Sequence, residues 1–74
     1  MKFHNSPVLL PFGEYYSRTE VQKAKQVHVR DDHEELVSFK PQSILPGELH
    51  WLRNYSVVES RFDSETEELF IRIV

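Results

Sequence analysis

The chain has 74 residues, a formal net charge of −3 and no cysteine. These values limit it to one small domain without disulfides or thiolate metal ligands, with a core that removes only about 60% of the unfolded surface from water. No apolar run approaches the roughly 20 residues of a membrane-spanning helix, and the N-terminal apolar patch is shorter than the about 7–15 residues of a secretory signal. Because a cysteine-free composition suits a reducing compartment, we expect a cytoplasmic protein.

Charge is distributed unevenly along the sequence. Through Arg30, five basic residues stand against two acidic ones (+3), whereas from Asp31 onward four basic residues stand against ten acidic ones (−6). Such asymmetry marks a polarised binding surface or arises simply because acidic residues fill exposed turns. The negative net charge argues against a protein that binds nucleic acid through general electrostatic attraction.

The first segment predicts a tail followed by an extended edge. Residues 1–6 show no periodicity and are predicted to be a flexible tail. Pro7–Pro11 is apolar between its two prolines, and proline cannot donate a backbone hydrogen bond. We therefore expect an edge strand or an extended strap here, followed by a turn at Phe12 and Gly13.

A helix-start pattern follows. Ser17 and Glu20 have the spacing of a capping box, and Tyr16 and Val21 match the hydrophobic staple around it. Apolar residues then recur at helical spacing on one side. The pattern predicts one helix of two to three turns over residues 16–25, packed on the sheet and presenting a basic outer face.

The segment Gln26–Lys40 permits two interpretations. Both of its ends alternate, which predicts a hairpin with an acidic turn at residues 31–34. The alternative is one longer helix that reaches Val37, because the middle of the segment has fair helix propensity. Val27 and Val29 share one face of a strand but not of a helix, so the hairpin is preferred.

A loop and a short ambiguous segment come next. Proline and glycine in residues 40–47 predict a loop, in which Leu45–Glu48 fits a type II turn with a positive φ at Gly47. Glu48–Asn54 contains the only tryptophan. It fits a strand or a single helical turn that brings its two leucines together.

The stretch Tyr55–Val74 predicts a second hairpin. Two β-prone runs flank the polar turn Asp63–Thr66, and the last run alternates with a period of two. An isolated hairpin is marginal in water, so other elements must pack on it. Phe70 and Val74 lie opposite the face that carries the isoleucines, so that second face is either covered or open to a partner.

The predicted fold class is α+β, with one short helix packed on a small antiparallel sheet of about three to five strands, in a single domain over residues 1–74. A small barrel is the alternative if the first hairpin joins the sheet. The predicted core residues are Leu9, Phe12, Tyr16, Val21, Ala24, Val27, Val37, Phe39, Leu52, Val58, Phe62, Leu69, Ile71 and Ile73.

The sequence contains no arrangement of residues that is typical of catalysis. The four histidines are scattered without metal-ligand spacing, and two glycines are too few for a phosphate-cradling loop. No serine sits in a nucleophile elbow, and the paired carboxylates fall in or beside predicted turns, where no pocket shifts a pKa. We expect no enzyme, no metal and no cofactor.

Binding functions remain. A basic helix face would complement an acidic partner helix, and tryptophan and arginine are enriched at binding hot spots. The same lysines serve solubility equally well, and a lone tryptophan is often a core residue. Aromatic and basic residues also interleave as in stacking platforms, but no nucleic-acid motif accompanies them. The candidate partner-binding residues are Arg18, Lys23, Lys25, Arg30, Trp51 and Arg53, on a monomer that contacts a protein.

In overall character the chain resembles the small regulators of bacterial RNA polymerase that phages encode. The shared features are one domain, no cysteine, few glycines, no catalytic motif and uneven charge. The resemblance implies binding to a large polymerase subunit and interference with the initiation factor, and it assigns no particular residue. Phage inhibitors of CRISPR machinery have the same general character, so another host complex is an alternative partner.

Overall fold

The computed structural model describes residues 3–74, and it describes side chains from residue 9 onward except those of residues 19 and 20. The elements are, in chain order, β1 (Phe3–Pro11), α1 (Phe12–Tyr16), α2 (Thr19–Gln22), β2 (Gln26–Arg30), β3 (Glu35–Phe39), a 3₁₀ helix (Gly47–Leu52), β4 (Ser56–Asp63) and β5 (Glu68–Ile73).

The strands form one five-stranded sheet in the order β1-β4-β5-β2-β3. This confirms the α+β class and the predicted strand number. The sheet is mixed rather than wholly antiparallel, because β2 pairs with β5 in parallel register. After β1 the chain passes through α1 and α2 and re-enters the sheet as β2, beyond the positions of β4 and β5. Because β2 runs in the same direction as β1, and β5 does too, β2 and β5 are parallel.

The core lies between the helices and one face of the sheet, which we call the covered face. In β5, Leu69, Ile71 and Ile73 are buried on this face, as the alternation predicts. In β2, Val27 and Val29 are also both fully buried, which only a strand allows. The other face, which we call the open face, carries polar and aromatic side chains.

Both predicted hairpins are present. β2 and β3 pair in antiparallel register around the acidic turn at residues 31–34, so the helical alternative is wrong. β4 and β5 form the second hairpin, whose turn has the backbone of Glu67 at a φ of 60°. The segment around the tryptophan adopts the helical turn, one of its two predicted alternatives, which brings Leu49 and Leu52 together, and both are buried.

The predicted helix over residues 16–25 is reduced to the short α2, and an additional short helix, α1, forms at Phe12–Tyr16, where a turn was predicted. α1 starts at Phe12, because the amide of Phe12 donates to the Tyr55 carbonyl at 2.8 Å and joins this segment to the chain ahead of β4. The Ser17 hydroxyl donates to the Glu14 carbonyl at 2.9 Å and closes α1 instead of capping a new helix. The chain then turns through Arg18 into the short α2.

Two further predictions are corrected. Residues 3–6 of the predicted tail belong to β1, an edge strand that pairs with β4; Met1 and Lys2 lie outside the described residues. The type II turn is also wrong, because Gly47 has no positive φ and instead begins the 3₁₀ helix. Pro46 closes the helix start by accepting a hydrogen bond from Leu49 at 2.8 Å.

Irregular pairing explains the errors in the predicted core that fall in β1 and β4. Leu9 is 87% exposed, because the register between β1 and β4 shifts between Pro7 and Leu10. A second shift between Val57 and Glu59 places Val57, not Val58, in the core. An extra residue in a strand reverses the faces of the residues beyond it. The residues missed by the prediction are Tyr15, Val29, Leu49 and Val57.

Among the remaining predicted core residues, Val37, Phe39 and Phe62 are partly buried and pack against the edge of the core, and the others are buried within it. Across the described residues, none of the helices has the length and apolar character needed to cross a membrane.

Candidate functional site

An apolar pocket with two exposed aromatic rings lies at one end of the sheet. Trp51 is 47% exposed and Tyr55 is 43% exposed, and their rings meet edge to face with centroids 6.1 Å apart. The cavity beside them measures about 350 Å³. We call it the Trp51 pocket, and its lining consists of Asp31, Asp32, His33, Leu36, Trp51, Tyr55, Ile73 and Val74.

Local helix geometry explains why Trp51 faces outward. A 3₁₀ helix has three residues per turn, so Leu49 and Leu52 share the side that faces the core, and Trp51 lies off that side. The amide of Tyr55 donates to the Leu52 carbonyl at 3.0 Å and continues the turn. Two large aromatic side chains are therefore held on a short, anchored segment rather than on a free loop.

The rim of the pocket is acidic. The Asp31 carboxylate accepts hydrogen bonds from the backbone amides of Glu34, at 2.8 Å, and His33, at 2.7 Å, and this turn holds the rim in place. These bonds favour the charged form and lower the pKa of Asp31. Asp32 adds a second carboxylate, which pairs with Arg72 at 2.7 Å.

The predicted basic surface is dispersed in the structure. Arg18 is exposed between α1 and α2, and the Lys23 ammonium lies 5.4 Å from the centre of the Phe62 ring. Lys25 pairs with Glu67 at 3.2 Å.

The other predicted contacts lie elsewhere. Arg30 points from β2 on the open face, away from the helices, and pairs in register with Arg72 of β5. Arg53 is exposed just after the 3₁₀ helix, beside Trp51 in sequence. The six predicted residues therefore do not make one surface, and only Trp51 lines the apolar pocket.

Phe70 is at the centre of the open face. The His28 ring stacks on it from β2, with ring centres 4.8 Å apart and an interplanar angle of 11°. The Arg61 guanidinium lies 5.8 Å from the ring centre, on the β4 side. The Phe70 ring therefore packs against two polar side chains, His28 and Arg61, on the face that the helices leave uncovered.

His28 also bridges two carboxylates. Its Nδ1 lies 3.0 Å from Glu35 and its Nε2 lies 2.8 Å from Glu68. Only the doubly protonated ring can donate to both. The hydrogen bond from His28 lowers the pKa of Glu68. No group of three or more metal-ligating side chains occurs in the part of the chain that the structure describes.

Two arginines occupy the next row of the open face. Arg72 donates through Nη1 to Asp32 at 2.7 Å and through Nε to Glu59 at 3.1 Å, and these bonds raise the pKa of Arg72. The Nε of Arg30 donates to the backbone carbonyl of Asp31 at 3.1 Å. Among the described side chains, no carboxylate pairs with Arg30.

Sequence reasoning missed this arginine and aromatic cluster. Of the aromatic residues that interleave with basic ones in the sequence, Tyr15 and Tyr16 are buried and offer no stacking surface to a nucleic acid, whereas Trp51 and Tyr55 are exposed. The available signal was the alternation of β5, which sets Phe70 and Arg72 opposite the isoleucines. Comparison with protein-family models, with curated proteins and with solved structures found no match for this chain.

Proposed function

We propose that the chain is a non-enzymatic protein-binding regulator that contacts its partner through the Trp51 pocket. One observation carries the proposal: two half-exposed aromatic rings border an apolar pocket whose rim is acidic. Aromatic residues next to a pocket are the side chains that most often dominate binding energy.

The structure favours a different partner chemistry from the one that the basic helix suggested. The rim carries Asp31 and Asp32, so an apolar side chain flanked by lysine or arginine is complementary to it. Asp31 is held in place by two backbone amides and needs no rearrangement to meet a cation. A binding site that is already ordered loses little entropy when the partner binds.

The resemblance to small phage regulators supplies the first partner to test, bacterial RNA polymerase in the cytoplasm of the host. On this proposal the chain occupies a large polymerase subunit and interferes with the initiation factor. Another host complex, such as CRISPR machinery, is the alternative partner for the same surface.

The partner test uses purified bacterial RNA polymerase, core and holoenzyme, over the immobilised protein. We expect Trp51→Ala to weaken binding about thirtyfold or more, because hot-spot truncations cost about 2 kcal/mol or more. Ile44→Ala is the matched control, since Ile44 is 77% exposed and lies outside the pocket. Absence of binding to either form of the enzyme would discard polymerase as the partner.

A second experiment tests the pocket itself and needs no known partner. The single tryptophan gives one indole N–H signal, which reports directly on the pocket. We expect the tetrapeptide acetyl-Lys-Leu-Leu-Arg-amide to shift it at lower concentration than acetyl-Glu-Leu-Leu-Glu-amide. Equal responses would refute the charge argument, and no response to either would refute the pocket.

The basic helix face remains a separate hypothesis with its own variant. Reversing the charges of Lys23 and Lys25 should leave polymerase binding unchanged if the Trp51 pocket is the contact. A loss of binding larger than that of Trp51→Ala would move the contact surface to the helices.

A further inference from the structure

A second candidate site lies on the open face, where the side chains surround a shallow depression of about 150 Å³. Its lining consists of Arg30, Glu59, Arg61, Phe70 and Arg72. These residues come from three neighbouring strands, β2, β4 and β5, so the sheet register sets their spacing. The five side chains carry three positive charges and one negative charge.

The arrangement of the arginines is costly unless something shares their charge. Arg30 and Arg72 are register partners on neighbouring strands, so two like charges lie side by side. Like charges opposite each other destabilise a sheet. Arg72 is compensated by Asp32 and Glu59. Arg30 makes no ion pair among the described residues, although Glu35 stands in register with it on β3 and its charge acts on the Asp31 carboxylate. Three guanidinium groups therefore border one depression whose lining includes a single carboxylate, Glu59.

The guanidinium groups are also held in position. Arg72 is held between Glu59 and Asp32, each of which accepts one hydrogen bond, and this leaves its other N–H donors to a ligand. Arg61 lies against the Phe70 ring. The ring is itself stacked on His28, which is bonded to two carboxylates. Rigid guanidinium forks are suited to bidentate recognition of oxyanions.

We propose that Arg30, Arg61 and Arg72 form a binding site for a phosphate group. A phosphate presents more oxygens and more negative charge than a carboxylate, so it can engage three guanidiniums at once. The Glu59 carboxylate also faces this site and opposes an anion, which limits the affinity. The phosphate group is either free phosphate or the phosphate of a mononucleotide.

The test is a titration of the ¹⁵N-labelled protein with inorganic phosphate and, in parallel, with adenosine 5′-monophosphate, at constant pH and ionic strength. We expect saturable shifts of the backbone amides of Arg30, Phe70 and Arg72 with a dissociation constant of about 1 mM or below. Tighter binding of the nucleotide identifies the mononucleotide as the ligand, and equal binding identifies free phosphate. Shifts that grow linearly with concentration would overturn the proposal.

Two variants change the affinity in opposite directions. Arg30→Gln should weaken binding at least about tenfold, because hydrogen bonds to charged groups are among the strongest. It breaks no ion pair among the described residues and removes the repulsion from Arg72, so the variant should still fold. Glu59→Gln should tighten binding, because it removes the opposing charge and keeps an oxygen that can accept the hydrogen bond from Arg72 Nε.

The matched control is Arg18→Gln, which makes the same charge change between α1 and α2. An equal loss in the Arg18 and Arg30 variants would show a general charge effect and overturn the site. Trp51→Ala should leave the phosphate titration unchanged, so failure of either proposal is seen independently of the other.

Discussion

Removal of the Tyr16 hydroxyl is expected to loosen the loop between β3 and the 3₁₀ helix. Tyr16 is 3% exposed, and its hydroxyl donates to the Gln42 carbonyl at 2.6 Å and accepts from the Gln42 amide at 2.7 Å. One side-chain oxygen therefore satisfies both backbone groups of a residue 26 positions away. The substitution Tyr16→Phe removes both bonds and keeps the ring that packs on Phe12 and Phe39.

The magnitude follows from the two bonds. Each contributes about 0.5–1.5 kcal/mol net, so the pair contributes about 1–3 kcal/mol. Because Gln42 is exposed, water can bond to its backbone groups in the variant and offset part of the lost hydrogen-bond energy. We therefore expect the free energy of unfolding to fall by about 1–2 kcal/mol. For a domain of this size that corresponds to a fall in Tm of about 4–16 °C.

Thermal and urea unfolding measure the loss, and amide hydrogen exchange at Gln42 locates it. Tyr55→Phe is the matched control, because Tyr55 is exposed and its hydroxyl makes no hydrogen bond to the described residues. The control should change stability by less than about 0.5 kcal/mol. Equal stability of the two variants, with unchanged exchange at Gln42, would refute the role of the hydroxyl.

Three further predictions concern stability. Ile71→Ala should lower the free energy of unfolding in urea by about 2–5 kcal/mol, because Ile71 is fully enclosed; a loss below about 1 kcal/mol would contradict its central place in the core. Glu67→Gly should raise the free energy of unfolding by up to about 1 kcal/mol, since the φ of 60° suits glycine. Lys25→Gln is its control: it breaks the same exposed ion pair and should leave the free energy of unfolding nearly unchanged. If Glu67→Gly destabilises the protein, the turn is not strained. Hydrogen bonds lower the folded-state pKa of Asp31 and of Glu68, so each contributes stability that is present above its unfolded pKa, about 4, and is lost as pH falls through the folded value. When the free energy of unfolding is measured against pH, Asp31→Ala should reduce the loss of stability at acid pH. An unchanged loss would show that other carboxylates cause it.

Much of the local structure is predictable from the sequence. The period-two alternation of residues 69–73 determines both the strand and the face that it buries. Val27 and Val29 decide between hairpin and helix, because only a strand buries both. The spacing of Leu49 and Leu52 permits a helical turn, and the structure adopts it instead of the strand that the sequence left as an alternative. These features depend on neighbouring residues only, so the chain specifies them without knowledge of its other parts.

Tertiary contacts decided the rest. The helix α1 forms at Phe12, where the sequence predicted a turn, and the Tyr55 carbonyl, 43 positions away, anchors its start by accepting a hydrogen bond from the Phe12 amide. The bulge at Val58 reverses the alternation of β4, and no local pattern announces it.

The two candidate sites have the same origin. The Trp51 pocket combines residues 31–36, 51–55 and 73–74, and the phosphate site depends on the parallel register that sets Arg30 beside Arg72. The sequence by itself indicated the two hairpins and, in β2 and β5, the side chains that each face carries. Which strands became neighbours was set by the packing of the helices over one face of the sheet, and strand order brought together the charges and rings of both sites.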